Sequence, residues 1–210
     1  MSEGRGRSYR PMPVGARGFK AERCPKCWRL VEDCVCSLVT PARTALRLVM
    51  LSHWKEAGRS SNTGRLVWLA IDNLDLRFFN LPDGTSEPLD DLDPDDCLLL
   101  FPDEEAVPIT TVATSDTTTL VALDATWRQA RRMIRKTPLL RRMKKVRLPE
   151  GRPSEFAARR QFSPERLCTA EAVARALEAL GEHEAASAVM APFESYVSAC
   201  LRERGRDVPR

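Results

Sequence analysis

The chain has 210 residues, 43% of them hydrophobic and 30% charged, with a formal net charge of +4. This composition suits one soluble domain with a substantial core. No stretch approaches the roughly 20 apolar residues of a membrane span, which excludes a transmembrane protein. The N-terminus lacks the apolar segment of a secretory signal, which predicts a cytoplasmic protein. Its cysteines are then expected to be thiols or metal ligands.

The first 23 residues carry six basic side chains and four glycines but few apolar residues, and they predict a flexible basic tail. Residues 24–40 contain two closely spaced cysteine pairs. Four thiolates at this spacing can converge on one tetrahedral ion, for which zinc is the usual choice in a reducing compartment. The segment predicts a structural zinc knuckle, with a redox dithiol and an iron–sulfur cluster as open alternatives. Its ligands are Cys24, Cys27, Cys34 and Cys36.

Strand and helix patterns alternate over residues 41–205, which we expect to form the main domain. Continuous apolar runs predict strands at 44–52, 96–101 and 118–123. Because such strands are separated by helical patterns, they indicate an α/β fold with a mostly parallel sheet covered by helices on both faces. Neither a P-loop nor a G-x-G-x-x-G motif is present, which argues against a P-loop protein and against an ordinary dinucleotide-binding fold.

Four helical patterns accompany these strands. Residues 62–72 place leucine and alanine at helical spacing. Thr126, with Gln129 three residues later, predicts the capping box of a second helix. A third helix is expected from Thr169 to a closing Gly181, and Pro192 is expected to kink or break the last helical pattern.

Charge is distributed unevenly along the chain. Residues 83–105 contain ten acidic and no basic side chains, whereas residues 128–160 contain thirteen lysines or arginines and two glutamates. A basic block of this density is expected of a protein that binds a phosphate backbone. The alternative is a solvated helix face without a partner.

Polar motifs fall at the carboxyl ends of the predicted strands, where ligands bind in α/β folds. Asp124 follows one strand directly, beside an indole and a helix N-terminus. The segment Asp124-Ala-Thr126-Trp127, continued by Arg128-Gln129-Ala130, resembles the signature of the DTW-domain family of tRNA-uridine aminocarboxypropyltransferases. Further segments match the family in order: the cysteine cluster, His53–Glu56, Ser61–Leu66, Leu99–Pro102 and Cys168–Ala172.

The resemblance implies an enzyme that transfers the 3-amino-3-carboxypropyl group of S-adenosylmethionine to N3 of a uridine in tRNA, with release of 5′-methylthioadenosine. It also implies a relation to SPOUT-type enzymes, and with it a knotted C-terminal half that binds the donor. The partners are then tRNA and S-adenosylmethionine, with no membrane. A monomer is slightly favoured over a dimer. The position of the uridine in tRNA stays open.

Such a reaction needs an acceptor for the N3 proton, and a carboxylate within hydrogen-bond reach would serve. Asp124 is the first candidate, either as this base or as the group that holds the donor's amino group. Thr126 and Trp127 complete the predicted catalytic set, and Trp54 or Trp127 would stack on the uracil. The predicted donor-binding residues are Leu51, Ser52, His53, Phe101, Pro102, Asp124, Thr169, Glu171 and Ala172.

The predicted RNA-binding residues are polar or basic side chains near these motifs. They are Asn62, Thr63, Arg65, Arg128, Arg131, Arg135, Arg159 and Arg160. Arg159 or Arg160 would alternatively bind the carboxylate of the donor. Two other functions stay open: a non-catalytic RNA-binding zinc protein, and a SPOUT-like RNA methyltransferase that transfers a different carbon of the same donor.

Overall fold

A computed structural model describes Tyr9 and residues 22–112, 119–151, 153–156 and 167–205. The six strands are β1 (Arg47–His53), β2 (Asp75–Phe79), β3 (Cys97–Leu100), β4 (Val107–Pro108), β5 (Thr119–Asp124) and β6 (Lys144–Arg147). They form one sheet in the order β2-β1-β5-β3-β6-β4, in which every neighbouring pair is parallel. The predicted α/β fold with a parallel sheet is confirmed.

The helices are α1 (Trp54–Ala57), α2 (Gly64–Ala70), α3 (Trp127–Lys136), α4 (Pro138–Arg142), α5 (Thr169–Ala179), α6 (His183–Met190) and α7 (Phe193–Arg202). Among the described residues, none of these helices has the length and apolar character that a bilayer crossing requires. The knot implied by the family resemblance stays a prediction.

Two apolar cores cover the two faces of the sheet. In β1, Leu48 and Met50 point into a core shared with α2, α5 and α6. The alternate residues Val49 and Leu51 point into a second core, shared with α3 and α4. Because successive side chains of a strand face opposite ways, a strand between two cores needs apolar residues at every position, and this explains the continuous run in the sequence.

The expected helix ends are confirmed where a cap determines them. Thr126 and Gln129 form the capping box of α3. Gly181, at φ +83°, follows α5 in a left-handed conformation that glycine adopts without strain, and the N–H of Glu182 returns to the carbonyl of Leu177 at 2.9 Å. Pro192 lies between α6 and α7 and separates them.

No continuous apolar run in the sequence marks β2, β4 or β6. In β6, only Val146 is buried, and its other three residues are basic. The basic block is therefore spread over α3, α4 and β6, and is not the face of a single helix. Lys145 faces the end of the acidic segment, with its Nζ 3.6 Å from Asp103 and 3.8 Å from Glu105.

Candidate active site

The side chain of Asp124 lies at the carboxyl end of the central strand β5 and is 2% exposed. Its Oδ2 accepts hydrogen bonds from Ser52 Oγ at 2.6 Å and from Asn62 Nδ2 at 2.8 Å. Its Oδ1 accepts one from Thr169 Oγ1 at 2.9 Å. The structure thus joins four predicted site residues that are as far as 117 positions apart in the sequence.

Tyr9 completes this group, which we call the Asp124 cluster: Tyr9, Ser52, Asn62, Asp124 and Thr169. The hydroxyl of Tyr9 lies 2.8 Å from Asn62 Oδ1 and 3.0 Å from Asp124 Oδ2. Burial, followed by the charge of Asp124, raises the pKa of Tyr9 well above its ordinary value, so the phenol stays protonated and donates. Among the described residues, no ion pair reaches Asp124, and all four of its donors are neutral.

Tyr9 is an exception to the flexible tail expected at the N-terminus, since its side chain is 1% exposed. Residues 1–8 and 10–21 lie outside the described residues. Sequence reasoning missed Tyr9 because no periodicity marks it. The one available signal was that the chain contains only two tyrosines.

Gly64 lies directly behind the carboxylate. A Cβ at this position would lie 2.5 Å from Cγ of Asp124 and 2.7 Å from both of its oxygens, closer than any nonbonded contact allows. The glycine of the Ser61–Leu66 segment is therefore required by the close approach of α2 to Asp124.

We expect Gly64→Ala to destabilise the protein by about 1–3 kcal/mol and to abolish activity, because the new methyl group displaces the carboxylate. Thermal unfolding and an activity assay measure both effects. Gly151→Ala is the matched control, because its Cβ would approach closely only the end of the flexible Arg175 side chain, at 3.2 Å, and would meet the carbonyl of Pro149 at an ordinary 3.9 Å. An equal Tm and equal activity of the two variants would contradict the argument that a Cβ at position 64 displaces the carboxylate of Asp124.

Arg65, predicted to contact RNA, is fully buried. Its guanidinium donates to the carbonyl of Ala57 at 2.8 Å and to that of Lys26 at 3.3 Å, and it covers the ring of Tyr9 at 4.2 Å from the centroid. A side chain without exposed surface cannot reach a phosphate backbone. In this structure Arg65 connects the knuckle to α2 and Tyr9, and its role in binding RNA stays a prediction.

Thr126 and Trp127 have local partners. The hydroxyl of Thr126 donates to Gln129 Oε1 at 2.7 Å and accepts from Gln129 N at 3.3 Å. Trp127 packs against Phe101, with ring centroids 5.7 Å apart, on the α3 side of the sheet. Asp124 faces the opposite side, towards α2 and α5. The structure therefore does not place Trp127 beside the carboxylate, and catalytic roles for Thr126 and Trp127 stay predictions.

His53 ends β1 and caps the short helix α1, where its Nδ1 accepts from the N–H of Lys55 at 3.2 Å. Burial, aided by the charges of Lys55 and Arg132, lowers the pKa of His53. The imidazole is neutral at pH 7 and carries its proton on Nε2. His53 therefore offers a neutral hydrogen-bond donor at the carboxyl edge of the sheet.

The other predicted donor-binding residues fall into two groups at this edge. Leu51 and Phe101 are buried on the α3 side, next to the exposed Pro102. Thr169, Glu171 and the half-buried Ala172 belong to the first turn of α5 on the opposite side. The N–H of Ala170 approaches Thr63 Oγ1 at 3.4 Å, which places Thr63 between α2 and α5.

Glu171 is 3% exposed and already fully engaged. It accepts hydrogen bonds from Ser154 Oγ at 2.6 Å, Glu155 N at 2.7 Å and Cys168 N at 2.9 Å. These bonds hold residues 154–156 against the start of α5. Its contact with the donor stays a prediction, since both oxygens of Glu171 already accept hydrogen bonds within the protein.

The predicted RNA-binding arginines of α3 are exposed. Arg128, Arg131 and Arg135 belong to a set of exposed basic residues on α3, α4 and the start of β6, which we call the basic surface. Within the described part of the chain, none of its members has an ion-pair partner. Arg159 and Arg160 lie outside the described residues. The members of the basic surface are Arg128, Arg131, Arg132, Arg135, Lys136, Arg141, Arg142 and Lys144.

The knuckle brings its four cysteine sulfurs within 4.8 Å of one another. The Sγ atoms of Cys24 and Cys36 are 3.7 Å apart, as are those of Cys27 and Cys34. This separation is too long for a disulfide and close to the edge of about 3.8 Å of a tetrahedron with zinc–sulfur bonds of about 2.3 Å. The donor set therefore fits a closed tetrahedral site for zinc.

Backbone geometry supports this arrangement. The turn at Cys24 is closed by a hydrogen bond from Trp28 N to Cys24 O at 3.0 Å, and Trp28 adopts φ +60°, an uncommon conformation for a non-glycine residue. Burial raises the pKa of the Cys24 thiol, but N–H groups of Cys27 and Lys26 outweigh it and lower the pKa to about 7. Cys24 is thus partly thiolate at neutral pH, the form that binds metals.

Comparison with known proteins identifies a family that spans both the knuckle and the sheet. Residues 21–201 match the family model of the DTW domain. The chain is also similar to the tRNA-uridine aminocarboxypropyltransferase 2 of Drosophila melanogaster, with 30% identity over 170 residues that cover 77% of this chain and 67% of the relative. No solved structure matches it. Because the family model extends from the knuckle to α7 and includes all of the Asp124 cluster except Tyr9, the chain belongs to the DTW-domain family.

Proposed function

We propose that the protein transfers the 3-amino-3-carboxypropyl group of S-adenosylmethionine to N3 of a uridine in tRNA. The observation that carries the proposal is the family match over residues 21–201, supported by a relative that is named a tRNA-uridine aminocarboxypropyltransferase. The Asp124 cluster lies at the carboxyl ends of neighbouring strands, as expected of a ligand site in a parallel sheet.

The reaction forms a bond between uridine N3 and the γ-carbon of the donor while the bond from that carbon to the sulfonium sulfur breaks. The electron pair goes to sulfur, and neutral 5′-methylthioadenosine leaves without help from an acid. The N3 proton needs an acceptor. Asp124 fits this role because its charge is held by neutral donors and is not cancelled by an ion pair within the described parts of the chain.

The donor is expected at the carboxyl edge of the sheet, beside the Asp124 cluster. Nonpolar surface for the adenine and methylthio groups comes from Leu51, Phe101 and Pro102. The neutral imidazole of His53 and the hydroxyls of Ser52 and Thr169 offer polar contacts at the same edge, next to Ala172. These assignments define which variants should weaken binding of S-adenosylmethionine.

The basic surface is the proposed contact with tRNA. Its side chains are exposed and have no ion-pair partners among the described residues. It also extends to the site, because the charge of Arg132 acts on His53 at the end of β1. Such contacts position the RNA but carry no sequence information themselves.

We expect the triple variant Arg128→Ala, Arg131→Ala and Arg135→Ala to bind tRNA at least tenfold more weakly at physiological salt. The slope of log affinity against log salt concentration should fall by about 2–3, because each lost phosphate contact removes nearly one unit. Filter binding at several salt concentrations measures both quantities. Arg43→Ala is the control, since Arg43 is an exposed arginine before the amino end of β1. An unchanged slope in the triple variant would contradict the assignment.

We further propose that the knuckle binds one structural zinc ion, because four thiolates fill a tetrahedral site and leave no position open for substrate. Zinc would stabilise the fold of residues 24–40. The cytoplasmic location and the monomeric state expected from the sequence stay predictions.

Incubation of the purified protein with S-adenosylmethionine and unmodified tRNA, followed by nucleoside mass spectrometry, tests the proposed activity. We expect aminocarboxypropyl-uridine and an equal amount of 5′-methylthioadenosine. A methyl group in the product would instead identify a methyltransferase. Binding of tRNA without binding of the donor would identify a non-catalytic RNA-binding protein.

A further inference from the structure

The side chain of Tyr9 fills a slot between the segment Ser61–Leu66 and the end of β5 at Asp124. One face of its ring is covered by the guanidinium of Arg65, and the rings of Trp68 and Phe78 surround it at centroid distances of 5.7 and 6.3 Å. At the end of the slot, the hydroxyl meets Asn62 and Asp124. A planar six-membered ring with a polar edge is thus held by a cation, two aromatic side chains and two hydrogen-bonding groups.

Three hydrogen-bond donors share Asp124 Oδ2. They are Ser52 at 2.6 Å, Asn62 at 2.8 Å and Tyr9 at 3.0 Å. Tyr9 is the most distant of the three, and its hydroxyl also has Asn62 Oδ1 at 2.8 Å. The bond from Tyr9 is therefore the one that Asp124 can exchange most readily for another donor.

Unused hydrogen-bonding capacity remains around the slot. Within the described residues, Asn62 Nδ2 donates a single hydrogen bond, to Asp124, although an amide nitrogen carries two N–H groups. The Nε of Arg65 is buried and has no acceptor in the described part of the protein. A ligand with carbonyl oxygens would find donors here that the phenol of Tyr9 does not use.

The polar end of the slot matches the Watson–Crick edge of uracil. This edge presents the N3–H donor between two carbonyl acceptors, so N3–H would donate to Asp124 while Asn62 Nδ2 donates to an adjacent carbonyl. Cytosine has an unprotonated N3, whose lone pair would face the carboxylate. Stacking of a base on a guanidinium and aromatic rings is a usual mode of single-stranded RNA recognition.

We propose that the slot occupied by Tyr9 is the binding site of the acceptor uracil, which takes the place of the Tyr9 side chain. This inference rests on the proposed function and specifies its acceptor site. The N3 proton then passes to Asp124 Oδ2 as the carbon–nitrogen bond forms and the carbon–sulfur bond breaks. Arg65 becomes the stacking partner of the base, and no contact between Arg65 and the RNA backbone is needed.

Nucleoside binding to Tyr9→Ala tests the site without relying on transfer. Removal of the phenol leaves a slot with the shape of the base, so uridine should raise the Tm of this variant by roughly 3–5 °C at ten times its Kd. Cytidine should raise it far less, and neither nucleoside should shift the wild-type protein as much. Equal shifts by uridine and cytidine, or no shift with either, would overturn the proposal even if the wild-type enzyme modifies tRNA.

Tyr9→Phe gives a second test should Tyr9→Ala fail to fold, because it keeps the ring and removes only the hydroxyl. With its hydrogen bonds lost, the side chain yields the slot more easily, so KM for tRNA should fall about threefold or more while kcat is retained. A tenfold loss of kcat at unchanged KM would show that the hydroxyl is needed during the reaction, and would overturn the replacement by uracil.

Tyr196→Phe is the matched control for this variant. Tyr196 is also a buried tyrosine whose hydroxyl makes two hydrogen bonds, to the carbonyls of Ser60 at 3.0 Å and Asn62 at 2.7 Å. It lies outside the slot, so its variant should lower Tm without lowering KM for tRNA. The same decrease of KM in both variants would indicate a general loosening of the fold and not release of the slot.

Discussion

Asp124→Asn should reduce aminocarboxypropyl transfer at least about a hundredfold, the scale of a lost general base. The amide cannot accept the N3 proton, although it has the size and shape of the carboxylate. Single-turnover measurements with saturating tRNA and donor give the rate of transfer directly, with nucleoside mass spectrometry as the readout.

The hydrogen bonds of Asp124 indicate that this variant will fold. Thr169 is the single donor on Oδ1, and its hydroxyl can rotate to accept a bond from the new Nδ2. The remaining oxygen can stay with Ser52, Asn62 and Tyr9. We expect a loss of about 1–3 kcal/mol, the usual cost of weakening buried hydrogen bonds, so that thermal unfolding still shows a cooperative transition.

The same variant separates the two roles considered for Asp124. A general base predicts a lower rate of transfer with unchanged affinity for S-adenosylmethionine, whereas a group that holds the donor's amino group predicts weaker donor binding. Asp72→Asn is the control, because Asp72 precedes the amino end of β2, at the opposite edge of the sheet. Full activity of Asp124→Asn would remove Asp124 from the mechanism.

The parts of the fold that depend on local sequence could be predicted. β1 and β5 are continuous apolar runs because they lie between two cores, and α3 begins at a capping box that four consecutive residues specify. β6 could not be predicted, because its place in the sheet depends on pairing with β3 and not on its own basic sequence.

In the candidate site, too, some residues could be predicted from the sequence and others could not. Asp124, Asn62 and Thr169 belong to motifs that the sequence displays, and the structure joins them. Tyr9 and the burial of Arg65 could not be predicted, because each depends on the other and on chain segments far away. A buried arginine needs specific partners, and those of Arg65 come from the knuckle, from α1 and from Tyr9.

Cys27→Ser should cause the largest loss of stability among single substitutions in the knuckle. Cys27 is the cysteine of the cluster with no exposed surface, and a serine hydroxyl is a poor replacement for a zinc-bound thiolate. Because the metal-binding energy of such a small site is also its folding energy, loss of the ion should unfold residues 24–40. We expect Tm to fall by on the order of 10 °C.

The effect should extend to the Asp124 cluster through Arg65. The carbonyl of Lys26, within the knuckle, accepts a hydrogen bond from Arg65, whose guanidinium covers the ring of Tyr9. A second connection joins Arg29, fully buried, to Glu203 beyond α7 at 3.1 Å. When the knuckle unfolds, Arg65 loses the carbonyl of Lys26 and Glu203 loses Arg29, so transfer activity should fall together with stability.

Native mass spectrometry and thermal unfolding measure the metal content and the stability of the same samples. The wild-type protein should carry one zinc ion, which a chelator removes with a matching decrease in Tm, and Cys27→Ser should carry none. Cys97→Ser is the control, since Cys97 is equally buried but belongs to β3, outside the cluster, and this variant should keep its zinc. A Cys27→Ser protein with one bound zinc and an unchanged Tm would contradict the four-cysteine site, whereas an unchanged wild-type mass after chelation would exclude a removable metal.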